Sequence, residues 1–189
     1  MELVLIRHGD PDYSSCTYGG INGQGYGLVP LSSKGMQQAQ QVATDPVLQG
    51  AQLIISSPYT RALQTAAEIV RTMDLPLMVE PDLHEMMSDR TGAPHSLAEL
   101  KVLHNEFLAC HGCWPEGEER PWETVKQLAD RVSKTLNRYL DYDKIIVVTH
   151  GGVIRRFWTG NTIEYCVPYV VHVENCIQCH GWIEISQKK

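Results

Sequence analysis

The apolar positions of the chain follow two different periods. Leu3 to Ile6, Leu53 to Ile55 and Ile145 to Val148 are short uninterrupted apolar runs, the pattern of strands covered on both faces in a parallel sheet. Between them apolar residues recur at helical spacing: Met36, Ala39 and Val42/Ala43, then Ala62, Leu63, Ala66, Ala67, Ile69, Val70 and Met73, then Trp122, Val125, Leu128, Val132, Leu136 and Tyr139. Leu97 to Leu108 reads as a further helix, Leu75 to Glu80 as a short strand, and Tyr169 to Val173 and Ile177 to Ile185 as closing strands. This alternation predicts an α/β fold, three-layer α/β/α with a mostly parallel central sheet. Two helix starts are marked, one at Ser32-Ser33 and one where Ser57 as N-cap and Pro58 as first helical residue put Arg61 in the opening turn.

Two of the apolar runs end alike, one in Arg7-His8-Gly9 and the other in Thr149-His150-Gly151-Gly152. Each histidine then falls just past the carboxyl end of a strand, the edge where open α/β sheets place ligands. Arg7, His8, Arg61 and His150, together with a helix start, would converge there as an anion pocket suited to a tetrahedral phosphate. Any one of these residues alone is ordinary, and only their convergence carries the reading.

Composition narrows the field. With 189 residues, 43% hydrophobic and 20% charged, the chain suits one globular domain, 1–189, that needs no disulfide or metal to complete its core. The 16 basic and 22 acidic residues give a net charge of −6 without a basic cluster, so no nucleic-acid partner is expected. No apolar stretch approaches the roughly 18 to 20 residues of a membrane span and no leader pattern follows Met1, so no membrane partner and a cytoplasmic location are expected. Cys110-x-x-Cys113 and Cys176-x-x-Cys179 invite a zinc reading, but the pairs are 63 positions apart (176 − 113), beyond compact zinc-ribbon spacing, and reduced thiols are the expectation. No cofactor and no metal are expected, and monomer or homodimer remain open.

Leu5-Ile6-Arg7-His8-Gly9, the Pro30 to Ala39 segment (PLSSKGMQQA), the Ser56 to Ala66 segment (SSPYTRALQTA), Leu83-His84-Glu85 and Val148-Thr149-His150-Gly151-Gly152 together resemble the ordered signatures of the histidine phosphatase superfamily. The resemblance implies a phosphoglycerate mutase-like fold and a metal-independent phosphomonoesterase acting on a small phosphate ester. It implies that His8 becomes phosphohistidine, that Arg7, Arg61, His150 and Gly151 bind the phosphoryl group, and that Glu85 donates and then accepts the proton. The chain departs from the family after Arg-His-Gly, where Asp10, Pro11 and Ser14 stand in place of the usual Glu-Thr or Glu-Ser and asparagine, leaving Ser14 as a substrate-binding candidate. Two alternatives are a mutase-type phosphoryl transferase and a catalytically weak phospho-ligand binding protein. Between Arg7 and Lys34 there is no Lys or Arg, which favours a phosphatase over a mutase with its strongly acidic substrates. Residues 86–121 are the expected cap that sets specificity, Trp114 is a candidate wall, and Gly19 to Gly27, with five glycines in nine positions, is expected to be a mobile loop beside the pocket mouth.

Overall fold

The computed structural model of the protein describes residues 1–14, 23–160 and 162–183. Its centre is a five-stranded sheet formed by β1 (Glu2–Arg7), β2 (Leu53–Ser56), β3 (Leu77–Val79), β4 (Lys144–Thr149) and β5 (Pro168–His172) in the order β3-β2-β4-β1-β5. All neighbouring pairs are parallel except β1 with β5. In register, Arg7 lies beside Thr149 and Ser56 beside Val148. His8, Ser57 and His150 therefore leave the sheet side by side from three adjacent strands.

Alternate residues of the buried strands enter two cores. Leu3, Leu5, Ile55, Ile145 and Val147 pack against Leu128, Val132 and Leu136 of one helix, α4 (Val125–Leu136), and Val153 and Ile154 of another, α5 (Gly151–Ile154). Val4, Ile6, Ile54, Ile146 and Val148 pack against Val42 of α1 (Ser33–Val42) and Ala62, Ala66 and Ile69 of α2 (Thr60–Met73). This is the expected three-layer α/β/α arrangement. A third, smaller cluster joins Phe107 of α3 (Leu97–Ala109) to Trp122 and Val125. Ser96 and Glu99 close a capping box on α3, and Thr124 and Gln127 close one on α4.

Three expected boundaries are corrected. Helix α2 begins at Thr60, two residues after Pro58, with Tyr59 at its N-cap, because the Ser57 hydroxyl is drawn to a histidine ring 2.7 Å away. Trp122 precedes α4: the Thr124 cap sets the helix start, and the indole is buried against Phe107, with ring centroids 5.5 Å apart. Residues 177–183 form no strand; Ile177 is bonded to the Asn137 side chain and His180 to the Arg156 carbonyl. Residues 184 and 185 of that expected strand lie outside the described residues, as do residues 15–22, which include the start of the glycine-rich loop.

Candidate active site

Close backbone approach fixes the loop that carries His8. A Cβ on Gly9 would stand 2.5 Å from the Gly35 carbonyl oxygen, so α1 lies directly against this loop and only glycine fits. Ser32 caps α1 by accepting from the Gly35 N–H and donates its own hydroxyl to Asp10. On the α2 side, Thr65 accepts from the Gly9 N–H at 3.1 Å.

The bonds of His8 define its tautomer. Nδ1 lies 2.7 Å from the Gly9 carbonyl oxygen, which only accepts, so Nδ1 carries the proton. Nε2 accepts from Arg61 Nε at 3.0 Å, and a guanidinium only donates, so Nε2 holds a lone pair. Burial, reinforced by the charges of Arg61 and Arg7, pulls the His8 pKa down to about 3. The ring is therefore a neutral, buried imidazole whose lone-pair nitrogen faces a cation.

His150 completes the pair with its ring centroid 5.0 Å from that of His8. It is fully buried, and burial, reinforced by the neighbouring His8 ring and the Arg61 guanidinium, holds its pKa well below the ordinary histidine value. Its Nε2 lies 2.7 Å from Ser57 Oγ, and Arg61 Nη2 lies 3.5 Å from its Nδ1. Arg61 also donates from Nη1 to the Tyr26 carbonyl. Arg7 lies beneath Tyr165, its guanidinium carbon 3.9 Å from the ring centroid, and donates Nη1 to the Ile163 carbonyl. Its buried Nε has no hydrogen-bond partner among the described residues.

Glu85 approaches from the other side. Its Oε1 accepts from the Met86 N–H at 2.9 Å and the Gly152 N–H at 3.0 Å. A Cβ on Gly152 would collide with that oxygen, so the second glycine of His-Gly-Gly is needed for this docking. A Cβ on Gly151 would stand 3.7 Å from Arg7 Nε and 4.0 Å from Glu85 Oε2, making Gly151 the thin partition between cation and carboxylate. Arg131 holds the segment in place: it clasps Glu123 at 2.6 and 2.9 Å and donates to the Asp82 and Glu85 carbonyls.

Arg7, His8, Arg61, His150, Gly151 and Glu85 thus share one region. Ser14 is exposed, and its N–H donates to the Asp12 carboxylate at 2.9 Å. Trp114 donates its indole N–H to the Trp122 carbonyl and stacks with Arg90, and it lines neither of the two cavities beside Glu85. The sequence pattern gives Ser57 a capping task only, and gives Tyr59, Arg131 and Tyr165 none. Ser57 stood within a quoted motif, but no spacing rule pairs Arg131 with a carbonyl 46 positions away. Among the described residues no group of three or more His, Cys, Asp or Glu side chains is placed to hold a metal ion, and no helix is long and apolar enough to cross a membrane.

The profile of the histidine phosphatase superfamily (branch 1) matches residues 3–163. The adenosylcobalamin/alpha-ribazole phosphatase of Escherichia coli (strain K12) is 29% identical over 195 residues, covering 100% of this chain and 92% of that protein. Phosphoglycerate mutase-like protein 4 of Arabidopsis thaliana is 31% identical over 165 residues, covering 83% and 69%. Among solved structures, the alpha-ribazole phosphatase from Shigella flexneri superposes with a TM-score of 0.65 over 100% of both chains at 22% identity, a likeness of fold. The chain belongs to the histidine phosphatase superfamily, and it is an enzyme of the histidine phosphatase type.

Proposed function

We propose that the protein is a metal-independent phosphomonoesterase that works through a phosphohistidine on His8 and hydrolyses a small-molecule phosphate ester. The observation that carries this reading is the fixed tautomer of His8, a neutral ring whose Nε2 lone pair meets Arg61. A bound phosphoryl group would take Arg61 away from Nε2, and Arg7, Arg61 and His150 would hold its oxygens with Gly151 alongside. Nε2 then attacks phosphorus in line as the ester P–O bond breaks, and the leaving oxygen takes the proton from the Glu85 carboxyl. Water next attacks the phosphohistidine and gives its proton to Glu85, the P–N bond breaks, and neutral His8 returns with inorganic phosphate as product. Fixed cations around the equatorial oxygens supply the electrostatic stabilisation such a transfer needs.

Residues 86–121 serve in this reading as a cap, since Met86, Ser88, His104 and Phe107 line a cavity shared with Arg7 and Glu85. A mutase needs extra cations for a second phosphate. Here Arg90 pairs with Glu119, and Arg120 with Glu106 and Glu118, which favours the hydrolase. The alpha-ribazole and phosphoglycerate esters named for the relatives belong in the first substrate panel. The test is hydrolysis of p-nitrophenyl phosphate in EDTA: His8→Ala should lower turnover by at least about 10³-fold, and acid-labile, base-stable phosphate should be trapped on the wild-type chain. Retained turnover in His8→Ala would overturn the mechanism.

A further inference from the structure

The two arginines beside His8 are held without a carboxylate: neither Arg7 nor Arg61 forms an ion pair among the described residues. Each lies instead against a tyrosine ring. The Arg7 guanidinium carbon is 3.9 Å from the Tyr165 ring centroid, and that of Arg61 is 4.9 Å from the Tyr59 centroid. A carboxylate would occupy the in-plane N–H groups of a guanidinium and offset its charge, whereas a ring attracts the cation through its face and leaves the edge free to donate. At Arg7 the hydrogen bonds among the described residues are confined to Nη1, which donates to the Ile163 carbonyl at 2.7 Å, and the buried Nε has no partner there.

The backbone around Tyr165 is tied to the strand that carries Arg7. The Cys166 N–H donates to the Arg7 carbonyl at 2.9 Å, and the Glu164 N–H donates to the hydroxyl of Tyr169, on β5, at 2.7 Å. Cys166 itself has a φ of 54°, in the left-handed region that residues other than glycine, asparagine and aspartate seldom adopt. The chain therefore turns sharply just after Tyr165, and this turn delivers the ring over the guanidinium. The same ring stands 5.6 Å from that of His8, tilted by 40°. One side chain thus borders both the cation and the imidazole.

We propose that Tyr165 is a positioning residue for phosphoryl transfer, fixing the Arg7 guanidinium by its ring face so that the full charge and free edge of Arg7 meet the phosphoryl oxygens. The proposal rests on the phosphatase reading above, in which Arg7 holds that group. An arginine fixed in this way need not be ordered anew at each turnover, and its donors stay aligned as phosphorus moves between the ester oxygen and His8. The face of the ring carries the effect, so the Tyr165 hydroxyl is dispensable.

The test is a double-mutant cycle read as kcat/KM for p-nitrophenyl phosphate, with folding of each variant checked by circular dichroism. Tyr165→Phe keeps the face and should stay within about twofold of wild type, whereas Tyr165→Leu should lose roughly threefold to thirtyfold. In an Arg7→Met background the Tyr165→Leu loss should shrink to less than about twofold, because the residue through which the ring acts is gone. If Tyr165→Leu does not fold, Tyr165→Met takes its place; if Arg7→Met turns over too slowly to measure, the comparison of Phe with Leu decides alone. Equal losses in both Arg7 backgrounds, or a Tyr165→Phe variant as impaired as Tyr165→Leu, overturn the positioning role while His8-dependent hydrolysis stands. Absence of His8-dependent hydrolysis in the wild-type enzyme instead overturns the phosphatase reading, and the proposal with it.

Discussion

His8 and His150 leave the carboxyl ends of two adjacent central strands, whereas Glu85 sits in an irregular segment following β3 and reaches the same region through side-chain and backbone bonds. The histidines inherit their positions from sheet register: Arg7 pairs with Thr149, and each histidine is the next residue. Glu85 depends instead on the Gly152 N–H, on the Arg131 guanidinium and on a neighbouring Glu123. One side is therefore as rigid as the core, and the other is as rigid as a handful of polar contacts. In the proposed reaction the side that would bind charge is built once into the fold, and the side that would meet a variable alcohol is attached separately.

The strongest way to separate the two sides is to remove the chemistry of one without its shape. Glu85→Gln keeps the acceptor for Met86 and Gly152 but cannot cycle a proton, so turnover of an unactivated ester should fall by roughly 10²- to 10⁴-fold. Phosphate affinity, measured by calorimetry, should remain within a few fold. A matching loss of affinity would make Glu85 part of the binding side and erase the contrast.

Arg131→Met attacks the attachment itself. Its partner Glu123 is only 6% exposed in its side chain, and leaving that carboxylate buried and unpaired should cost about 3 kcal/mol in urea unfolding. The kcat should fall roughly tenfold or more as Glu85 loses its support, while inhibition by vanadate, read by the histidine side, should change much less. Equal damage to kcat and to vanadate affinity would show that both sides rest on one support.

Acid should weaken the histidine side first. His8 has its folded-state pKa pulled from the ordinary 6.5 to about 3, so between those values the unfolded chain binds a proton that the folded chain refuses. Stability then rises with pH across that window and is lost as pH falls below about 6.5, on the order of 2 kcal/mol from His8 by pH 5. His150 acts in the same direction. Urea unfolding at pH 7.5 and pH 5 should show the loss, and His8→Ala should reduce it; an unchanged acid slope in that variant would refute the assignment.

The same division decides what the sequence made legible. The apolar runs and His-Gly endings reveal the sheet and four of the pocket residues because period and register are local properties. Resemblance supplied Glu85, but its support by Arg131 depends on a helix packing across the chain, which no local pattern encodes. Trp182 was misplaced in an expected strand for a related reason: an alternating apolar segment has no strand partner here, and the bonds to Asn137 and Arg156 claim its backbone instead. Ser57 was read as a helix cap, a correct residue type given the wrong task.

That serine gives the mildest test of the contrast. Ser57 is fully buried, and its Oγ meets His150 Nε2 at 2.7 Å while accepting a longer bond from the Tyr59 N–H at 3.3 Å. Ser57→Ala removes a small polar group and leaves a buried imidazole nitrogen unpartnered, which should cost about 1 to 3 kcal/mol of stability. If the serine also fixes the ring that Arg61 approaches through Nδ1, phosphate affinity should weaken several-fold, with the Glu85-dependent limb of the pH-rate profile unmoved. Ser57→Thr, which retains the hydroxyl, should recover part of the affinity. A variant that loses stability but keeps wild-type phosphate affinity would show that sheet register alone orients His150, sharpening the contrast with Glu85 to its limit.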